Sequence, residues 1–280
     1  MDGWYEVDEL APGTVRITEG RGQLPCHMYL LQSKDDALLI DTGLGIGGLR
    51  SVVESIAGVT PPVLLTHAHW DHLGNAHQFP MVSVHDRERM DDGTVSLDVF
   101  EERFDHRPGI FIEAWMAAGR TLPADFKPDT YHIPPVQHAE PVVESDTVIV
   151  GDRTLDIVDI PGHSPGQIAA IDRSSGMCFG GDVLEPNGEI YAHFADSDLA
   201  AYEDSLGKLI DRRDNDAFER LLTGHGVPID DLSILDTAKH AVETVRAGEA
   251  SYTVIDTHWG ASRSYEVSGI RVLTSHTASQ

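Results

Sequence analysis

The chain has 280 residues, 46 of them acidic against 20 basic, and a formal net charge of −26 at pH 7. Hydrophobic residues make up 41 %, so this acidity sits on a chain able to bury a sizeable core and not on a disordered one. The charge opposes binding to a nucleic-acid backbone, no apolar segment is long enough to span a bilayer, and the two cysteines are too few for a disulfide framework.

The first forty residues read as short strands punctuated by glycine and proline: Trp4 to Val7, Thr14 to Thr18, Met28 to Gln32 and Ala37 to Ile40. Gly47 to Ala57 reads as a helix with Leu49, Val52, Val53 and Ile56 on one side. Val63-Leu64-Leu65 is a buried strand leading into a polar loop. Residues 86–135 are the least regular part, with Phe100, Phe104, Phe111, Trp115, Met116 and Phe126 among many charges. A second β block follows. Asp146 to Val150 and Arg153 to Ile160 form a hairpin around Gly151-Asp152, and Gln167 to Asp172 and Met177 to Phe179 continue it. Cys178, in the last of these, reads as a core residue. Asp198 to Arg212 and Asp230 to Ala247 have helical spacing of apolar residues, and Asp230 and Asp231 suit the positive end of the second helix dipole. The last thirty residues hold strand-like Tyr252 to Asp256 and Ile270 to Leu273, which add short strands or a dimer contact.

Chemistry concentrates in Thr66-His67-Ala68-His69-Trp70-Asp71-His72, where three imidazoles and a carboxylate fall within six residues. Imidazole and carboxylate are the usual ligands of Zn²⁺ and related ions. His67 and His69 share a face in extended backbone, while Asp71 and His72 begin a new element, so one loop can serve two metals. Ligand-type residues recur downstream in Pro161-Gly162-His163-Ser164-Pro165-Gly166, in Phe179-Gly180-Gly181-Asp182 and in Thr223-Gly224-His225-Gly226. Upstream, Leu38-Leu39-Ile40-Asp41-Thr42-Gly43 ends an apolar strand in an acid. Taken singly, each is a common turn or cap; together, four separate loops carry ligand types.

These five motifs, in this order across residues 35–230, resemble the His-x-His-x-Asp-His pattern and its partners in the metallo-β-lactamase superfamily, glyoxalase II-like members included. The resemblance implies an α/β fold, a four-layer αββα sandwich of two similar halves in one domain over 1–280. It implies His67, His69 and His163 on one zinc ion, Asp71, His72 and His225 on a second, Asp182 bridging both, and Asp41 supporting the cluster. Asp71 would also take the proton of the attacking water. Di-iron members usually have Glu where this chain has His69, which favours two zinc ions and a hydrolase.

A small-molecule ester, thioester or lactone is the expected substrate. The alternative is a mononuclear iron dioxygenase acting on a persulfide, with one Fe²⁺ on His67, His163 and Asp182. A phosphodiesterase or nuclease is disfavoured by the charge, and a scaffold without activity by the complete ligand set. Glu185, Tyr191 and His193 follow Asp182 closely and are candidates for the substrate pocket, as is His258 beside Trp259; some lactone hydrolases of the superfamily place Tyr where this chain has Glu185. His27, His77, His85, His106, His132, His138, His240 and His276 read as surface or turn residues. Residues 86–135 would form a lid, a homodimer surface or a plain helical decoration. No secretory signal is visible at Met1-Asp2-Gly3-Trp4, so a cytoplasmic location is expected.

The acidic surface, with four lysines (Lys34, Lys127, Lys208, Lys239), resembles that of halophilic proteins, in which salt screens self-repulsion. The melting temperature is then expected to rise between dilute buffer and molar KCl; an unchanged value would remove this reading.

Overall fold

The computed structural model describes residues 3–20, 25–99, 107–185, 187–257 and 260–276. Phe100, Phe104, His106, His258 and Trp259 lie outside the described residues. The chain divides into two compact units, Met1–Thr154 and Leu155–Gln280.

The first unit is built on one seven-stranded sheet whose strands follow chain order. They are β1 (Tyr5–Ala11), β2 (Thr14–Glu19), β3 (Cys26–Ser33), β4 (Asp36–Ile40), β5 (Val63–Leu64), β6 (Val82–His85) and β7 (Glu140–Val142). The first four pair antiparallel as a meander, and β4 to β7 pair parallel. The change of direction has a local cause. Helix α1 (Leu49–Ala57) intervenes between β4 and β5, and a parallel neighbour needs such a crossover. Leu49 and Val53 anchor its apolar face, and Gly58, at φ 73°, ends it with an N–H donated to the Glu54 carbonyl, a left-handed cap that suits glycine. β3 and β4 are buried on both faces, with Met28, Leu30, Leu31, Leu39 and Ile40 inaccessible.

Glu19 closes this sheet onto the loop that follows β4. Its side chain, inaccessible to solvent, accepts from Trp4 Nε1 at 2.7 Å and from the backbone N–H of Leu44, Ile46 and Gly47 at 2.7, 3.2 and 3.1 Å. Gly43 (φ 68°) passes so close that a Cβ would stand 2.3 Å from Glu19 Oε2. The loop in turn clasps the segment after the histidine run: Gly74 N donates to Gly43 O, and Asn75 Nδ2 to Thr42 O, both at 2.9 Å. Burial raises the Glu19 carboxyl above the usual range, against the lowering effect of these donors. Its folded pKa therefore exceeds its unfolded one. The stability it contributes is complete below the unfolded value and is lost as pH rises through the folded one. Glu19→Gln, which cannot ionise, is expected to gain stability relative to wild type as pH rises from about 4 through the weakly acidic range. Urea midpoints of both proteins across that range provide the check, and a constant difference would sink the assignment.

Residues 107–135 belong to the first unit and pack within it through aromatic side chains. Helix α3 (Arg107–Ala117) buries Phe111, Ile112 and Trp115. Trp115 meets Trp4 edge-on at 5.3 Å, and Phe111 lies 5.7 Å from Trp70, inside the histidine run. The Tyr131 hydroxyl donates to the Leu44 carbonyl. Burial, then the charge of Glu19, holds that phenol well above its ordinary pKa. β8 (Thr147–Val150) ends the unit before the turn at Gly151-Asp152.

The second unit contains β9 (Arg153–Asp159, which carries the chain across the division), β10 (Ile168–Asp172), β11 (Met177–Phe179), β12 (Glu189–Ala192), β13 (Arg220–Leu222), β14 (Tyr252–Thr257), β15 (Gly260–Val267) and β16 (Ile270–Ser275). β13-β11-β10-β9 lie side by side in one sheet, and β12-β16-β15-β14 form another. The last thirty residues thus supply strands. Helix α4 (Leu199–Asp214) is capped by Asp198, whose carboxylate accepts from Ala200 N at 2.7 Å, an N-cap worth about 1 kcal/mol. It buries Tyr202, Leu206 and Leu209 in a core shared with Leu235, Ala238 and Val242 of helix α5 (Ile234–Arg246). Cys178 lies in that core, where burial alone pushes its thiol pKa up. Helix α5 starts later than its sequence suggests. Asp231 accepts from Ser233 N and Oγ in a turn, and Asp230 pairs with Arg220 at 2.6 Å, so neither acid lies within the helix.

Two of the histidines expected at the surface are buried. His27, on β3, hydrogen-bonds Thr18 Oγ1 across the sheet at 2.9 Å, and His85, ending β6, accepts from Arg87 N at 3.1 Å. A polar side chain on a doubly covered strand stays buried once a neighbour satisfies it. His77, His132, His138, His240 and His276 are exposed.

Candidate metal centre

In the first unit the donors follow directly from β5. Leu65 is the last apolar residue, Thr66 turns the chain, and a single helical turn, α2 (Trp70–Leu73), begins with His69 as its extended N-cap. His67, His69, Asp71 and His72 are all buried. Asp41, at the end of β4, organises them. Its Oδ1 accepts from Thr66 N and its Oδ2 from Thr66 Oγ1, both at 2.8 Å, and Oδ2 also accepts from His72 Nδ1 at 2.9 Å. To aim its carboxylate this way Asp41 adopts φ 60°, a left-handed conformation that Asp tolerates better than most residues. Because Thr66 Oγ1 spends its proton on Asp41, it accepts from His67 Nδ1 at 3.1 Å. Both rings are thereby held as Nδ1–H tautomers, leaving the lone pair on Nε2 for a metal. The His67 ring centroid lies 4.6 Å from that of His69 and 4.0 Å from that of His72.

Two neighbours complete this cluster. Glu88 is inaccessible and accepts from Ala68 N at 3.1 Å, fixing the backbone between His67 and His69. Cys26 Sγ lies within 4.8 Å of an Asp71 carboxylate oxygen.

In the second unit His163 sits in the turn before β10. Asp198 N donates to Gly162 O at 2.9 Å, and Ser197 Oγ to His163 O at 2.9 Å, so the approach to α4 holds the turn. Gly162 (φ 140°) packs where a Cβ would meet Tyr202 Cα at 2.6 Å; no other residue fits there. His163 Nδ1 donates to the Tyr191 carbonyl at 2.8 Å, again leaving Nε2 its lone pair. Asp182 follows β11, its backbone carbonyl accepting from the Tyr202 hydroxyl at 3.0 Å and its N–H donating to Gln167 Oε1 at 3.3 Å. His225 follows β13, where Thr223 Oγ1 donates to its carbonyl at 2.7 Å. Asp182 Oδ2 stands 3.6 Å from His163 Nε2 and 3.3 Å from His225 Nε2. Two donors about 2.0–2.1 Å from one tetrahedral ion lie about 3.3 Å apart, so each of these two pairs, taken by itself, is spaced as two ligands of one ion are. The donor set of each unit is made of buried imidazole nitrogens and carboxylates, with the rings of His67, His72 and His163 held through Nδ1, and suits a divalent metal ion.

Of the three pocket candidates among the described residues, Glu185 is buried and lies with Asp182 and His225, a donor atom of each within 4.8 Å of the others. The Tyr191 hydroxyl donates to Glu189 Oε2 at 2.7 Å, and burial and that carboxylate hold its pKa above the ordinary phenol value. His193 is half-buried, its ring tilted against Phe194 at 4.3 Å and edge-on to Tyr191 at 5.7 Å.

The family model of the metallo-beta-lactamase superfamily matches residues 21–225, a span that takes in every donor named above. The chain belongs to this superfamily. Its α/β fold is that of the superfamily's solved members. The metallo-beta-lactamase family protein TTHA1429 of Thermus thermophilus superposes with a TM-score of 0.60 at 24 % identity, over 85 % of this chain and 81 % of that one. The metallo-beta-lactamase of Pontibacter korlensis does so with a TM-score of 0.59 at 16 % identity, over 85 % and 99 %. Among sequence relatives, the acyl-coenzyme A thioesterase MBLAC2 of Gallus gallus is 28 % identical over 237 residues, 79 % of this chain and 80 % of that protein. The Homo sapiens protein of the same name is 26 % identical over 239 residues, 79 % and 81 %. Among the described residues no helix is long and apolar enough to cross a membrane.

Proposed function

We propose that this superfamily member is a metal-dependent hydrolase of acyl thioesters, with an acyl-coenzyme A as the substrate class. Its metal ligands on this reading are His67, His69, Asp71, His72, His163, Asp182 and His225, holding two zinc ions. The observation that carries the substrate is the likeness to acyl-coenzyme A thioesterases across about four fifths of both chains. The ligand reading is supported by three imidazoles, His67, His72 and His163, each fixed through Nδ1 with Nε2 left to bind. His69, where di-iron members carry Glu, favours zinc.

Zinc, when bound, would supply Lewis acidity and lower the pKa of a bound water to about 7. Around it the chain's own groups do the rest. Asp71, on the first turn of α2, accepts the proton of the attacking water. Asp41 and the Tyr191 carbonyl keep the imidazoles in the binding tautomer. The leaving group asks little of the protein, since a thiol with a pKa near 8.5 departs as thiolate without a dedicated acid. Coenzyme A is itself anionic, and a chain of net charge −26 repels it at long range. Salt that screens this field is then expected to lower KM. A thioester substrate and two cysteines outside any disulfide both suit the cytoplasm.

The test is thiol release by zinc-loaded protein from acyl-coenzyme A esters of graded chain length, beside acyl-glutathione, an oxygen ester and a lactone, in dilute buffer and in molar KCl. Acyl-coenzyme A is expected to give the highest kcat/KM. Preference for a lactone or oxygen ester would overturn the substrate. One iron per chain together with oxygen consumption on a persulfide would overturn the hydrolase.

A further inference from the structure

We propose that Glu185 is a metal ligand in its own right, an additional carboxylate for the ion at the His225 position, and does not line a substrate pocket. The inference rests on the two-metal reading above and deepens it at one residue.

Its basis is a compact donor set within the second unit. Asp182, Glu185 and His225 are all buried, and each offers an oxygen or nitrogen within 4.8 Å of the others. Glu185 is held there by a tight turn: its N–H donates to Glu189 O at 2.9 Å and its carbonyl accepts from Gly188 N at 2.8 Å. Asp182 is fixed independently, through the Tyr202 hydroxyl on its carbonyl and Gln167 on its N–H. The two carboxylates therefore reach this spacing from separately anchored backbones.

Two carboxyl groups this close, out of water, repel each other when both are ionised. A cation between them removes the repulsion. The second unit thus offers that ion one imidazole and two carboxylates, donor types that zinc accepts and that harder divalent ions also favour. A ligand carboxylate must share a donor cluster with Asp182 and His225, as Glu185 does.

The experiment is competitive removal of zinc by a graded chelator from fully loaded wild type, Glu185→Gln and Glu185→Asp, with metal per chain measured directly and Co²⁺-substituted spectra recorded alongside. Wild type retaining two ions while Glu185→Gln loses one at least about 10-fold more readily, with Glu185→Asp between them and an altered Co²⁺ spectrum, is the expected result. Equal retention of two ions and unchanged spectra in Glu185→Gln would overturn the assignment and leave the two-metal hydrolase standing. Wild type that retains fewer than two ions would bring down both. Melting of the metal-free proteins separates coordination from packing. Glu185→Gln, which relieves the repulsion, is expected to melt no lower than wild type without metal, and a lower value would assign Glu185 a packing role instead.

Discussion

Asp182→Ala is expected to abolish metal retention and thiol release together. The substitution removes the one oxygen that stands 3.6 Å from His163 Nε2 and 3.3 Å from His225 Nε2. It leaves the loop itself in place, because the residue's carbonyl and N–H are held by Tyr202 and Gln167 through backbone atoms that alanine keeps. The loss is therefore chemical and not structural. Weakening merely the supporting partners of a ligand costs about 10–100-fold in metal affinity or activity, and removing a donor shared by two imidazoles is expected to exceed that. Metal per chain after gel filtration and turnover at saturating substrate are the measurements. Retained full activity would sink the dinuclear reading.

Asp41→Asn is expected to leave the chain folded but lower metal affinity about 10–100-fold. Asparagine tolerates the φ of 60° at this position. However, the Asp41 carboxylate takes three hydrogen bonds, from Thr66 N, Thr66 Oγ1 and His72 Nδ1, and a carboxamide presents one oxygen where there were two. Either Thr66 or His72 then faces an amide N–H₂, and the His72 ring loses its preference for the Nδ1–H tautomer. Asp41→Ala goes further. It leaves buried donors unsatisfied at about 1–3 kcal/mol each and puts an ordinary residue at a left-handed φ, so the melting temperature drops as well. Chelator titration and thermal unfolding of both variants distinguish the two effects. An Asn variant that binds metal like wild type would show that Asp41 only shapes the loop.

Much of this centre is written locally. His67, His69, Asp71 and His72 fall within six residues, and a strand end such as Leu64–Leu65 can deliver them only into a loop. The glycines flanking His163 and His225 mark turns for the same reason: a side chain at Gly162 would collide with Tyr202. Strand and helix positions follow from apolar periodicity, with errors where side-chain turns compete with the helix, as Asp231 and Ser233 do before α5. The burial of His27 is not legible in this way, because it depends on Thr18 in the neighbouring strand, which no local pattern reveals.

The sequence by itself determined the family and the order of its histidine and carboxylate motifs, because metal chemistry demands particular side chains on turns and both are encoded within a few residues. Only the tertiary structure decided which glutamates meet the centre and its loops. Glu19, Glu88 and Glu185 are ordinary glutamates in a chain with 46 acids. The sheet carries Glu19 to the Leu44–Gly47 amides, a short turn carries Glu88 to Ala68, and another carries Glu185 to Asp182 and His225. A carboxylate becomes a ligand or an anchor through burial and the donors it meets there, and both depend on residues distant along the chain.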